Sequence, residues 1–266
     1  MKKILSIVLC LALVLGLCAL VGCGKDDNKL VMATNAAFPP YEYYDADKNI
    51  IGIDAEIAAA IAEKLGMELE IKDIEFDSIV SGVAAGKYDM GMAGMTVTED
   101  RKKNVNFTKS YAKGIQSVIV LENSEYTSFK DFYTGFDDEG NPVAVKEGIK
   151  IGVQMGTTGD IYSSSEPKDL GFGKANVLQY NTGADAVQAL LTGKVTAVII
   201  DNEPAKAYLA ANKGLKILDG AFKEEDYAIC LAKKDTELLE KINKALDELI
   251  ADGTVKSIVD KYIKAD

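Results

Sequence analysis

The chain has 266 residues, and its 41 acidic side chains outnumber 30 lysines and arginines to give a formal net charge of −11. So acidic a surface argues against nucleic acid and against electrostatic adhesion to anionic lipid. There is no histidine, which removes the commonest general base and the commonest metal ligand, so no metal and no cofactor are expected.

In chain order, Lys2-Lys3 and the apolar run Ile4 to Leu20 read as a secretory leader over residues 1–22. Cys10 and Cys18 leave with it, and Cys23 and Cys230 remain. Cys230, inside A-I-C-L-A, is expected in a core. No second apolar run of spanning length follows. The mature chain is long enough for one large domain or two modest ones.

Residues 23–29 form a polar tether, and Leu30 to Thr34 reads as a strand. Pro39-Pro40 forces residues 35–41 into a loop, and Tyr41 to Gly52 reads as a hairpin-like segment. Asp54 is a candidate N-cap for a helix whose apolar residues Ile57, Ala58, Ile61, Ala62 and Leu65 recur at helical spacing, with Gly66 as its stop. A strand from Glu68 to Ile74, a helix from Phe76 to Ala85 and a strand from Lys87 to Ala93 follow. That alternation favours an α/β layer with a largely parallel sheet. After a break at Phe107 to Gly114 the alternation resumes, with strands at 117–121, 149–154, 176–180 and 195–200 and helices at 157–163, 182–192 and 203–212. The turn-rich, acidic segment Tyr133 to Val145 reads as an exposed hairpin or loop. Tyr227 to Ala232 reads as one strand, and two helices separated by Gly253 close the chain.

The stretch M-G-M-A-G-M-T-V-T-E-D-R, from Met90 to Arg101, carries the chemistry. Gly94 bares the backbone at a strand end, Thr96 and Thr98 bring hydroxyls, and Arg101 brings a planar fork of donors that matches a carboxylate. The alternative is a surface salt bridge from Arg101 to Glu99 or Asp100. The interval from Gly86-Lys87 to Gly94 has an echo of equal length from Gly193-Lys194 to Asp201. Two similar α/β units would bring both strand ends to one crevice, since ligands of open α/β sheets bind there. A lone acid after the apolar run Ala197 to Ile200 calls for a charged partner, or serves as an N-cap for the helix that follows.

Taken together, the motifs A-T-N-A-A-F-P-P-Y-E-Y, G-I-D-A-E-I-A-A-A-I-A-E-K-L-G, F-D-S-I-V-S-G-V, A-G-M-T-V-T-E-D-R, G-V-Q-M-G-T-T-G and I-D-N-E-P-A-K-A-Y resemble those of the polar amino-acid-binding proteins of ABC importers, the family 3 solute-binding proteins. The resemblance covers the chain from about Leu30 onward, and Leu20-Val21-Gly22-Cys23 resembles a lipobox. It implies that Cys23 is the first mature residue and carries a diacylglyceryl thioether, which would anchor the protein to the outer face of the cell membrane and, with Cys230 the one thiol left, exclude an intramolecular disulfide. The implied fold is the two-lobed type II periplasmic-binding-protein fold. Lobe 1 would comprise 30–112 plus 224–266 and lobe 2 113–223, joined by two hinge strands, with ligand in the interlobe cleft.

By the same resemblance Arg101, helped by Thr96, holds the ligand α-carboxylate, while Asp201 and the Ala93 and Gly94 carbonyls receive the α-ammonium. Thr157 and Thr158 offer N–H groups at a helix start, and Phe38 and Phe76 form aromatic walls. Asn35 stands where several members carry an acid, and Gln154 is also neutral, which favours a neutral polar or sulfur-containing amino acid. Met92 and Met95 are candidates for an adaptable wall or for ordinary core, and Glu42 reads as structural. The implied partners are a free amino acid and ABC permease subunits, with the binding protein a monomer. A cyclohexadienyl-dehydratase-like lyase or a ligand sensor on the same scaffold is the alternative. The missing histidine speaks against the first, and the lack of a second membrane span against the second.

Overall fold

The computed structural model describes residues 28–264. The leader and Cys23 lie outside the described residues. Among the described residues no helix is long and apolar enough to cross a membrane.

In chain order the first half comprises β1 (Lys29–Thr34), β2 (Ala37–Phe38), β3 (Glu42–Tyr44), β4 (Ile50–Ile51), α1 (Ile53–Leu65), β5 (Glu68–Asp73), α2 (Ile79–Ala84), β6 (Met90–Gly91), α3 (Glu99–Asn104) and β7 (Val105–Phe107). The second half comprises β8 (Ala112–Leu121), β9 (Ile151–Gln154), α4 (Thr158–Ser164), β10 (Val177–Tyr180), α5 (Gly183–Leu191), β11 (Ala197–Asp201), α6 (Asn202–Ala211), β12 (Leu215–Ile217), β13 (Lys223–Tyr227), β14 (Cys230–Ala232), α7 (Thr236–Ala251) and α8 (Thr254–Tyr262).

The elements form two lobes. The first sheet has the order β5-β1-β6-β14-β7 and the second β10-β9-β11-β8-β12, with β13 also pairing β8. β1 runs parallel to β5 and β6, and β9 runs parallel to β10 and β11. The remaining pairs are antiparallel, so the sheets are mixed rather than largely parallel. The antiparallel strands lie beside the points where the chain crosses between lobes.

In the first lobe α1 buries Ile57, Ala58 and Ile61 at helical spacing in one cluster with Ile242, Leu246 and Leu249 of α7. Each large aliphatic side chain so buried contributes about 1.5–3 kcal/mol. Met92 belongs to this core and Met95 to a smaller cluster with Cys230. Neither methionine lines the cavity described below, so core is the role the structure gives them. In the second lobe an aromatic group of Phe129, Phe132, Tyr133 and Phe172 packs beneath β8, β9 and β11. Tyr133 to Val145 is the expected hairpin-like excursion, closed by bridges Tyr133↔Val145 and Phe136↔Pro142.

The chain crosses between lobes twice. β8 begins beside the first lobe and runs into the second sheet. The return, read in the sequence as one strand over Tyr227 to Ala232, is divided. β13 pairs β8 in the second sheet, and β14 pairs β6 and β7 in the first. The crossing strands are packed so tightly that a Cβ on Gly114 would run into the Tyr227 ring.

Candidate ligand-binding site

All eleven residues singled out in the sequence line one cavity between the lobes, of about 310 Å³. Asn35, Phe38, Phe76, Ala93, Gly94, Thr96 and Arg101 come from the first lobe. Gln154, Thr157, Thr158 and Asp201 come from the second, and Glu42 joins the lining.

Arg101 stands in the first turn of α3, whose N-cap Thr98 accepts from the Arg101 N–H. This short helix is not among those expected from the sequence. The guanidinium is buried rather than turned to the surface, and Glu99 and Asp100 pair instead with Lys102 and Lys103. It donates to the Thr96 carbonyl (2.7 Å) and across the cleft to the Gly156 carbonyl (3.1 Å), and lies 5.4 Å over the Phe76 ring. Neither hydrogen-bond partner is an acid. Burial pulls its pKa below the usual guanidinium range, while the charge of Glu225 acts in the opposite direction.

Gly94 holds the left-handed conformation (φ 50°), and a Cβ there would sit 2.8 Å from the Phe38 ring. A glycine is therefore required on both backbone and packing grounds. Its N–H donates to Asp54 Oδ2 at 2.8 Å. This corrects the expected cap, because the N-cap position of α1 is Gly52 and Asp54 lies inside the helix, fully buried. Asp54 also accepts from the Tyr111 hydroxyl at 2.8 Å, and burial pushes its pKa up to about 6. Glu42, beside it, is fully buried, and neither of its oxygens finds a hydrogen-bond donor among the described residues. Burial and then the charge of Asp54 hold Glu42 well above the usual carboxylate range. Two adjacent buried acids keep at least one proton between them.

In the second lobe Gln154 ends β9 and uses both amide hydrogens, one on Asn35 Oδ1 (2.8 Å) and one on the Asn181 carbonyl (2.9 Å). Asn35 in turn donates to the Ile74 carbonyl. Thr157 is the N-cap of α4, its hydroxyl accepting from the Asp160 N–H. The Thr158 hydroxyl lies 3.4 Å from that of Thr96.

Asp201 ends β11 and occupies the N-cap position of α6, but its side chain makes no capping bond. It turns inward and accepts from Gln116 Nε2 at 2.7 Å and from the Tyr227 hydroxyl. Its pKa is pushed up to about 7, first by burial and then by the charge of Glu225. The two strand ends that echoed each other in the sequence, Gly94 and Asp201, thus face one cavity. Contacts across it join the lobes: Asn35 to Gln154, Arg101 to Gly156, and Tyr208 to the Ala37 carbonyl at 3.0 Å.

Sequence reasoning missed Gln116, Glu225 and Tyr227. K-E-E-D-Y looks like a solvated charge run, yet in β13 Glu225 and Tyr227 are buried and their neighbours exposed. That alternation of burial comes from the pairing of β13 with β8, and the residues of K-E-E-D-Y do not announce it.

The profile of the bacterial extracellular solute-binding proteins, family 3, matches residues 30–265. The arginine-binding extracellular protein ArtP of Bacillus subtilis (strain 168) is 30% identical over 268 residues, covering 98% of each chain. An ancestral arginine-binding protein bound to arginine superposes with a TM-score of 0.78 at 37% identity, covering 90% of this chain and 100% of that one. The arginine-, lysine-, histidine-binding protein ArtJ of Geobacillus stearothermophilus gives a TM-score of 0.78 at 29% identity, covering 90% and 96%. The chain belongs to the bacterial extracellular solute-binding proteins, family 3.

Proposed function

We propose that this protein captures a free α-amino acid outside the cytoplasm and delivers it to the permease of an ABC importer, performing no covalent chemistry. One observation carries the reading. A buried cation and a buried acid, Arg101 and Asp201, line one small cavity from opposite lobes. The ligand carboxylate sits on the Arg101 fork, with the hydroxyls of Thr96 and Thr158 beside it, and the ammonium sits on Asp201 and the Ala93 and Gly94 carbonyls. Lobe 1 is 30–112 plus 224–266 and lobe 2 is 113–223. They close about β8 and β13, a hinge motion that excludes water and strengthens both ion pairs. Lipidation of Cys23 after removal of residues 1–22 keeps a monomer at the outer face of the membrane.

The side-chain end of the cavity lies between Phe38 and Phe76, toward Asn35, Gln154 and Glu42. With both Gln154 hydrogens engaged, that end offers the Gln154 side-chain oxygen as an acceptor, and Glu42 becomes a second one when it gives up its proton. It suits a side chain rich in N–H donors, in keeping with the arginine-binding relatives. A cationic side chain would draw the proton off the Glu42–Asp54 pair and take a carboxylate as its partner. The second reading is a neutral polar amino acid, favoured by the uncharged Asn35 and Gln154. An amide side chain such as that of glutamine meets both conditions better than a sulfur-containing one.

Thermal denaturation of the mature protein with each common amino acid tests this. A ligand at 100 times its Kd stabilises by about 2.7 kcal/mol, which at this size raises Tm by roughly 5–10 °C. Arginine is expected to give the largest shift, with glutamine next. No shift with any amino acid would refute the capture of amino acids.

A further inference from the structure

Glu225 stands outside the cavity lining, behind Thr96 and sharing Gln116 with Asp201 of the ammonium end. It lies on β13, opposite Gly114 of β8, so it belongs to a crossing strand rather than to the body of either lobe. It is 7% exposed. Glu225 Oε2 accepts from the Thr96 hydroxyl at 3.1 Å and from Gln116 Nε2 at 3.0 Å. The same Gln116 nitrogen donates to Asp201 at 2.7 Å. Two buried carboxylates therefore converge on one amide group; among the described residues Glu225 Oε1 makes no close hydrogen bond, and Tyr162 of α4 is the group that interacts with Glu225 from the other side. Thr96 and Asp201 both face the cavity, which puts Glu225 one hydrogen bond behind the lining.

We infer that Asp201 and Glu225 act together as a two-carboxylate seat for the ligand ammonium, that the seat keeps one proton until an ammonium enters, and that Glu225 is the positioning residue that makes it do so. This rests on the reading of the ligand as an α-amino acid. When the ammonium enters, the proton on Asp201 leaves to solvent. The ligand nitrogen keeps its three hydrogens, and no other bond changes. An amine that cannot become a cation, as in an N-acyl amino acid, has no means of displacing that proton and is rejected.

The groups facing the seat are few. Arg101 approaches from α3, Tyr162 from α4, Tyr227 from β13, Tyr41 from the β2–β3 turn, and Glu42 from β3. Glu203 of α6 acts on Tyr41. The tyrosines are pushed upward, Tyr162 to about 12. Asp201, raised to about 7 by burial and by Glu225, therefore changes charge near neutral pH. The acid is protonated below that value, and an incoming cation lowers its pKa. Binding therefore releases a proton and weakens as pH falls below about 7, by up to about tenfold per pH unit.

The test is calorimetric titration of L-arginine, with L-glutamine as second probe, at pH 6 and pH 8 in buffers of different ionisation enthalpy. The wild type is expected to release most of a proton more per ligand at pH 6 than at pH 8, with L-glutamine alone and with L-arginine on top of the proton that the Glu42–Asp54 pair gives up. Glu225→Gln is expected to bind with less than half that difference in release between pH 6 and pH 8 and a flatter dependence of Kd on pH. Loss of packing alone would weaken binding without changing the proton count. Binding by the wild type without that difference in release would overturn the inference, and so would the wild-type difference in a folded Glu225→Gln protein. If neither probe nor any other amino acid binds, the amino-acid reading itself has failed and the seat falls with it.

Discussion

Arg101→Ala should reduce amino-acid affinity by roughly thirtyfold to several thousandfold, the effect of about 2–5 kcal/mol expected when one side of a buried, hydrogen-bonded charge pair is removed. The fold should survive. The α3 cap is the Thr98 hydroxyl on a backbone N–H, which alanine keeps, and the Phe76 ring stays in place. What disappears is the only arginine in the chain, and with it the two donors now resting on the Thr96 and Gly156 carbonyls. A ligand carboxylate can take over those donors as the lobes close. Titration calorimetry together with a melting curve checks both halves. Unchanged affinity in a folded variant would remove Arg101 from the site.

Asp201→Asn keeps the shape of the side chain and removes its charge. It should weaken every amino-acid ligand by roughly tenfold to a thousandfold, while affinity for simple carboxylates without an ammonium changes far less. The sign for stability is opposite. Burial and Glu225 raise Asp201 from 3.8 to about 7, so its ionisation costs stability progressively between those values as pH rises. The asparagine protein without added amino acid should therefore melt no lower than the wild type at pH 8. Competition titrations with an amino acid and with its deaminated analogue separate the two effects. An equal loss for both ligands would mean that Asp201 serves the architecture of the cleft and not the ammonium.

Much of this site was legible because its residues sit where periodic elements stop. The apolar run ending at Asp201, the bare glycine at 94 and the arginine seven residues later stand out against a regular α/β rhythm. What stayed hidden was fixed by pairing between distant strands. Asp54 looks like a helix cap by local chemistry, but Gly94 and Tyr111 compete for its carboxylate and draw it inside. Asp201 occupies a cap position, yet Gln116 and Tyr227 claim its side chain. Glu225 reads as one acid among several until β13 is laid antiparallel to β8, which turns it inward. The short strands β7 and β12 carry too few residues for a period to show. The division of Tyr227 to Ala232 between two sheets follows from the lobe crossing, which no local pattern announces.

The most direct measurement compares an amino acid with the amine that lacks only its carboxylate. L-arginine and agmatine share the guanidinium, as L-glutamine and its decarboxylated amine share the amide, so any difference within a pair reports the Arg101 seat. Calorimetric titration of the mature protein should show binding of at least one of the two amino acids and at least about a hundredfold weaker binding of its partner amine. Equal affinity within the pair that binds, or no binding by any amino acid, would contradict the account.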